Sequence, residues 1–267
     1  MNRNRRLSLQ LAAVALAAAS VAGTAHAQGA LDTIKAAGTV KIAVPTDYPP
    51  YGFVGLDLKP QGLDIAMAQL VADKLGVKLQ LVPVISANRI PYLQTGQVQL
   101  VISTLGKNAE RMKVIDFTHA YSPFFQAVYA PKSLPVKSFA DLGGKTIAVA
   151  KGAMEEQELT KVGPSTMNFK RYEDQAASTA AFVAGQTQVI ATSVSNAGLM
   201  MQKNPQLGAE FKLLIKDSPN FIGVAKGEDA LRAKVNDIIL AARKDGTLDA
   251  MAQKWLGRPA GDLPLTE

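Results

Sequence analysis

The feature that constrains this chain most is a hydrophobic pattern that keeps changing period: short alternating runs that read as strands, each followed by a longer run with helical spacing. The first set opens with Val40-Lys41-Ile42-Ala43-Val44, which alternates before meeting Pro45. A loop rich in Pro and aromatic residues covers 45–53. From Gly62 the spacing turns helical, with Leu63, Met67, Leu70, Val71 and Leu75 on one face and Gly76 as a stop. Val77, Leu79 and Leu81 then alternate with Lys78 and Gln80. A helix is expected over 87–95, closed by Gly96, and a strand over 98–102. Strand, helix, strand, helix, strand predicts a parallel sheet covered by helices.

The pattern restarts after Tyr129-Ala130-Pro131. A helical turn over 139–142 and a strand over 146–150 lead through Gly152 into a helix with Glu155 and Glu156 in its first turn, where acids suit the positive helix start. A helix over 176–184, a strand over 189–191, a helix over 195–202 and a strand over 212–215 complete the second set. After the run 221–225, Leu231, Val235, Ile238 and Ile239 share one helical face, and Leu248, Met251, Ala252 and Trp255 mark a closing helix. Two α/β units without a low-complexity linker suit a ligand cleft between them, because such sheets bind at the carboxyl ends of their strands.

Composition removes several functions. Arg3, Arg5 and Arg6, an apolar run over 9–19 and the exit Ala25-His26-Ala27 read as a secretory signal peptide covering 1–27. Cleavage there leaves 26 basic and 22 acidic residues, scattered rather than clustered, so the footprint of a nucleic-acid binder is missing. There is no Cys in the chain, which excludes disulfides, thiolate metal sites and thiol nucleophiles. His119 is the only histidine beyond the leader, so no His-pair metal site is expected, and no cofactor is implied. Gly144-Lys145-Thr146 lacks the earlier Gly of a phosphate loop, since Phe139 stands there.

Several strings in order along the chain resemble the periplasmic solute-binding proteins of the polar amino-acid type, the extracellular solute-binding family 3. They include residues 42–53, Gly62-Leu63-Asp64-Ile65, residues 90–96, Glu110-Arg111, Asp116-Phe117-Thr118, residues 139–145, Lys151-Gly152, Asp245-Gly246-Thr247 and Lys254-Trp255-Leu256-Gly257. The resemblance implies a two-lobed α/β fold. Lobe 1 would be discontinuous, 28–128 and 221–267, joined by two crossover strands to lobe 2 at 129–220. It implies capture of a small carboxylate-bearing solute, first of all an amino acid, by cleft closure. A monomer would then deliver that solute to an inner-membrane ABC permease from the periplasm.

The resemblance also places the site. Arg111 would grip the ligand carboxylate, because a guanidinium offers two parallel donors. Ser103, Thr104 and Gly106 would bring backbone groups to the same carboxylate; relatives usually carry Thr where this chain has Gly106. Tyr48 matches an aromatic wall position, with Tyr51 or Phe53 serving the core edge. Asn88 and Arg89 open the helix beside the cleft, and Gly152 lies on its far side. The acid that relatives use for the ligand ammonium is absent: its position falls on Ser193, near a neutral Gln188. A buried ammonium without an anion is costly, so either Asp47, Asp64, Glu155 or Glu156 replaces it, or the ligand lacks a free ammonium. The alternative on the same fold is a cyclohexadienyl dehydratase-like enzyme, with Glu155 or Glu156 as general acid.

Overall fold

The computed structural model describes residues 29–266. The proposed leader, and the expected cleavage after Ala27, lie outside the described residues. Helix α1 (Ala30–Ala37) precedes β1 (Thr39–Val44), and a small antiparallel sheet follows from β2 (Asp47–Tyr48), β3 (Gly52–Val54) and β4 (Pro60–Gln61). Next come α2 (Leu63–Leu75), β5 (Lys78–Pro83), α3 (Arg89–Gln94), β6 (Leu100–Leu105), α4 (Ala109–Met112) and β7 (Ile115–Ser122). The chain then enters a second unit made of β8 (Phe125–Pro131), β9 (Thr146–Ala150), α5 (Met154–Val162), β10 (Asn168–Tyr172), α6 (Gln175–Val183), β11 (Val189–Ser193), α7 (Val194–Lys203) and β12 (Ala209–Asp217). It returns through β13 (Asn220–Ala225) to α8 (Asp229–Lys244) and α9 (Thr247–Leu256).

Two five-stranded sheets result, ordered β5-β1-β6-β13-β7 and β10-β9-β11-β8-β12. Each is mixed rather than parallel throughout. β13 runs antiparallel to β6 and β7, and β8 runs antiparallel to β11 and β12. The reason is connectivity: β7–β8 and β12–β13 carry the chain between units, so each returning strand enters its sheet from the far end. The two crossings are short, at residues 123–124 and 218–219. The breaks expected after Val128 and after Asn220 therefore fall inside β8 and β13. The Tyr129-Ala130-Pro131 cue marks the end of a strand, where Pro is tolerated, rather than the start of a lobe.

Burial explains why these segments hold. In α8, Leu231, Val235, Ile238 and Ile239 form the buried stripe that spacing predicted, extended by Ala242 and packed on the first sheet with Leu248 and Ala252 of α9. Each large apolar side chain buried this way contributes about 1.5–3 kcal/mol, so a charge at Ile239 would unseat the helix. The first unit has one large core, whereas the second divides its core between the two faces of its sheet, with Leu142, Ile147, Val149 and Leu159 on one and Ala148, Phe182, Ile190 and Met200 on the other. This division leaves the carboxyl ends of β9 and β11 free to face the first unit.

Candidate functional site

The end of β6 and the turn after it build the cationic side of the cleft. Asn108 caps α4 by accepting from the Arg111 backbone N–H at 2.9 Å, which fixes where that arginine starts. The Arg111 side chain is only 4% exposed. Its Nη1 donates to the Gly106 carbonyl at 2.9 Å, and its Nη2 reaches the Gly152 carbonyl of the other unit at 3.1 Å. Its buried Nε has no partner among the described residues. Burial, then the charge of Arg89, pulls its pKa down to about 9, while Glu155 and Glu158 oppose the shift. A buried cation with an unpaired donor is a place for an anion, and a guanidinium fits a carboxylate best.

Arg89, at the start of α3, is buried beside it. It donates to the carbonyls of Ser103 at 2.7 Å, Thr104 at 3.1 Å and Ser86 at 3.1 Å. Arg89, Arg111, Ser86, Ala87, Gly152 and Gln157 line a cavity of about 100 Å³ between the units. That is room for about three waters, the scale of a small polar head group. Larger cavities of about 440 and 530 Å³ lie near Phe125 and Arg258, but neither is lined by a predicted site residue. Convergent buried charge, rather than volume, marks the small one.

The acids divide by what already occupies them. Asp64 is fully enclosed, accepting from the Thr104 N–H at 2.8 Å and the Tyr121 hydroxyl at 2.7 Å; burial lifts its pKa to about 7 against those two bonds. Glu156 accepts from the Gly152 N–H at 2.8 Å and pairs with Arg171. Asp47 accepts from the Gln175 N–H at 2.7 Å. Glu155 differs. It is 3% exposed in the first turn of α5, and the bond its side chain accepts from another residue is a long one, 3.4 Å from the Tyr48 hydroxyl. Burial raises its pKa, opposed by its own backbone N–H and then by Arg89 and Arg111. It is the cleft acid with the most acceptor capacity left.

A buried arginine with a free donor, bonded to both α/β units and within charge range of a buried acid of the second, is the frame of a solute cleft. The model of the bacterial extracellular solute-binding proteins, family 3, matches residues 40–258. This chain belongs to that family. Among its relatives is the L-cystine-binding protein TcyJ of Escherichia coli (strain K12), 27% identical over 95% of this chain and 96% of the relative. The ABC transporter glutamine-binding protein GlnH of Bacillus subtilis (strain 168) is 30% identical, over 73% of this chain and 72% of its own. The crystal structure of the solute receptors for L-cysteine of Neisseria gonorrhoeae superposes with a TM-score of 0.79 at 28% identity, covering 85% of this chain and 93% of that one. The fold is the two-lobed one of these family 3 proteins, with the units described above as its lobes.

The positions inferred from the family resemblance are arranged less simply than their order in sequence suggests. Tyr48 is 1% exposed and stacks in a ring cluster with Tyr51 and Phe124, at 5.5 and 6.4 Å between centroids, rather than walling the cavity. Its hydroxyl accepts from the Ser193 N–H at 2.9 Å and lies 3.1 Å from Thr192 Oγ1. Ser193 caps α7, its Oγ accepting from the Asn196 N–H at 3.1 Å, so its hydroxyl serves its own helix. Gln188 is exposed and pairs with the Thr146 backbone and hydroxyl. The Thr104 N–H is taken by Asp64, and the Ser103 and Thr104 carbonyls by Arg89, which leaves those groups supporting the site rather than facing a ligand. Neither Asn88 nor Glu155 lines the cavity, whereas Arg89 does.

At Gly106 a Cβ would lie 2.6 Å from the Met154 methyl of lobe 2 and 2.8 Å from Ser218 Oγ, so a threonine there would need both side chains to shift. Sequence reasoning gave Arg89 no role of its own. The only available signal was an arginine beside a proline-containing helix start, which does not distinguish a buried guanidinium from a solvated one.

Proposed function

We propose that this protein is the periplasmic receptor of an ABC importer, that it closes its lobes on a free α-amino acid, and that it works as a binding protein without turnover. The observation that carries the reading is that Arg111 of lobe 1, buried with an unpartnered Nε, lies within charge range of Glu155 of lobe 2, buried with only one long bond from another residue. Arg111 takes the carboxylate. Glu155 takes the ammonium, the charge that the family's missing aspartate would otherwise meet. A zwitterionic head then cancels both charges where neither is solvated. The relatives' names, cystine-, glutamine- and cysteine-binding, agree with that ligand class.

The test is a thermal-shift and calorimetry panel of L-cystine, L-cysteine, L-glutamine, L-arginine, their N-acetyl forms and simple organic acids. A free amino acid should bind with a submillimolar Kd and its N-acetyl form at least about tenfold more weakly, because a buried carboxylate left unpaired costs a charged hydrogen bond. Glu155→Gln should remove most of that preference. Equal binding of amine-blocked ligands would overturn the assignment of Glu155. A buried carboxyl with a raised pKa would also serve a dehydratase as general acid. Turnover of prephenate or arogenate that disappears in Glu155→Gln would make the protein an enzyme.

A further inference from the structure

The lobes are joined across the cleft by a bond outside the proposed solute site. Asp47 lies in β2, anchored to lobe 1 by pairing with Phe53 of β3. Its Oδ2 accepts from the backbone N–H of Gln175 at 2.7 Å. Gln175 is the first residue of α6 in lobe 2, a nine-residue helix whose N-cap, Asp174, turns its own side chain to the Ala177 N–H at 2.7 Å. First-turn amides have no acceptor inside their helix. The Gln175 amide is therefore satisfied from the opposite lobe, and only when the lobes are together. The adjacent Tyr48 repeats the arrangement at α7 through the Ser193 N–H.

We propose that Asp47 is a closure latch, a positioning residue whose bond to the start of α6 holds the lobes together without touching solute. Part of the closing free energy then resides in the protein, and the solute supplies the rest. The proposal rests on the reading that the lobes open and close around a solute.

The chemistry of the latch predicts opposite outcomes for two substitutions. The Asp47 carboxyl is partly buried, with the Asp174 carboxylate of α6 and the Arg89 guanidinium of α3 as its charged neighbours. Burial, then Asp174, favours its neutral form, opposed by the Gln175 amide and by Arg89. An asparagine keeps an acceptor oxygen for the Gln175 N–H but gives up the charge that strengthens the bond, so Asp47→Asn should keep most of the closure. Asp47→Ala removes the acceptor and should open them. Gln175→Pro removes the donor at the first helical position, where proline is tolerated, and should act like Asp47→Ala.

The experiment is amide hydrogen exchange at Gln175, with small-angle scattering, on the unliganded protein. The wild type and Asp47→Asn should protect this amide. Asp47→Ala should lose protection by about tenfold or more, and both Asp47→Ala and Gln175→Pro should raise the radius of gyration with circular dichroism unchanged. Any amino acid of the panel that binds should then bind about tenfold more weakly to Asp47→Ala and Gln175→Pro. An unprotected Gln175 amide in the wild type overturns the latch. So does an unchanged radius in Gln175→Pro, whether or not Asp47→Ala folds. Since exchange and scattering need no solute, a latch confirmed in a protein that binds no free amino acid would refute the ligand assignment and leave the latch standing.

Discussion

The two faces of the cleft are built by different means. Lobe 1 presents side-chain charges that its own backbone holds in place: Arg89 on the Ser86, Ser103 and Thr104 carbonyls, and Asp64 between Tyr121 and the Thr104 N–H. Lobe 2 presents helix starts. There β9, β10 and β11 run parallel and lead into α5, α6 and α7, whose positive ends face lobe 1. Two of those starts are satisfied from across the cleft, α6 by Asp47 and α7 by Tyr48, while Glu155 lies within the first turn of α5. Lobe 1 is thus a finished half-site and lobe 2 a set of donors completed by closure. Solute should dock on lobe 1 first, and lobe 2 should follow.

The most direct way to break this comparison is to empty the finished half. Arg111→Ala should weaken amino-acid binding about a hundredfold, the order expected for losing a buried charged pair, with the fold retained. Arg111→Lys should recover only part, because an ammonium cannot reproduce the planar fork. Equal affinities by calorimetry would remove Arg111 from the site. A smaller effect is expected from blocking closure alone. Gly152 has φ +75°, and a Cβ on it would lie 2.9 Å from the Ala87 Cα of lobe 1. Gly152→Ala should therefore cost about 1–2 kcal/mol in backbone conformation plus the clash, leaving an expanded protein with about tenfold weaker binding. Ala87→Gly keeps the Cα that the new Cβ meets, so the double variant should stay expanded and weak in scattering and calorimetry. An unexpanded Gly152→Ala protein would show that the lobes meet differently.

The smallest effect sharpens the claim that lobe 1 is prebuilt. Asp64 has its pKa lifted to about 7 in the folded protein, against about 4 in an unfolded chain. Between those values the native state binds more protons than the unfolded one, so by linkage this group makes stability fall as pH rises from about 4 to about 7 and stay level above. The Tm should show this decline, and Asp64→Asn should flatten it. Identical slopes in the two proteins would mean that Asp64 is ionised throughout, held by Arg89.

Much of the fold was legible in sequence because local periodicity states it. The face of α2 from Leu63 to Leu75, the stripe of α8 and the alternation of β1 each need only neighbours in sequence to be read. Arg111 was singled out through the family strings around it, and the structure buries it with bonds to both units. Residues 115–122 and 125–131 were not read as two long strands, because β7 and β8 are buried on both faces and alternate poorly. The same local signals could not show that β13 returns antiparallel, since register is set by a partner strand about a hundred residues away.

What the sequence by itself determined is the two alternating α/β sets and the supply of chemical groups: one candidate arginine, several acids, no cysteine, one histidine beyond residue 27. The tertiary structure decided which of those groups are committed. Asp64, Glu156 and Asp47 looked equivalent to Glu155 in the chain, yet each meets partners brought from 40, 15 and 128 positions away. From another residue Glu155 meets only a long bond, from Tyr48, 107 positions distant. Availability for a ligand is what remains after all other bonds are made, and those bonds depend on distances in space that no local pattern encodes.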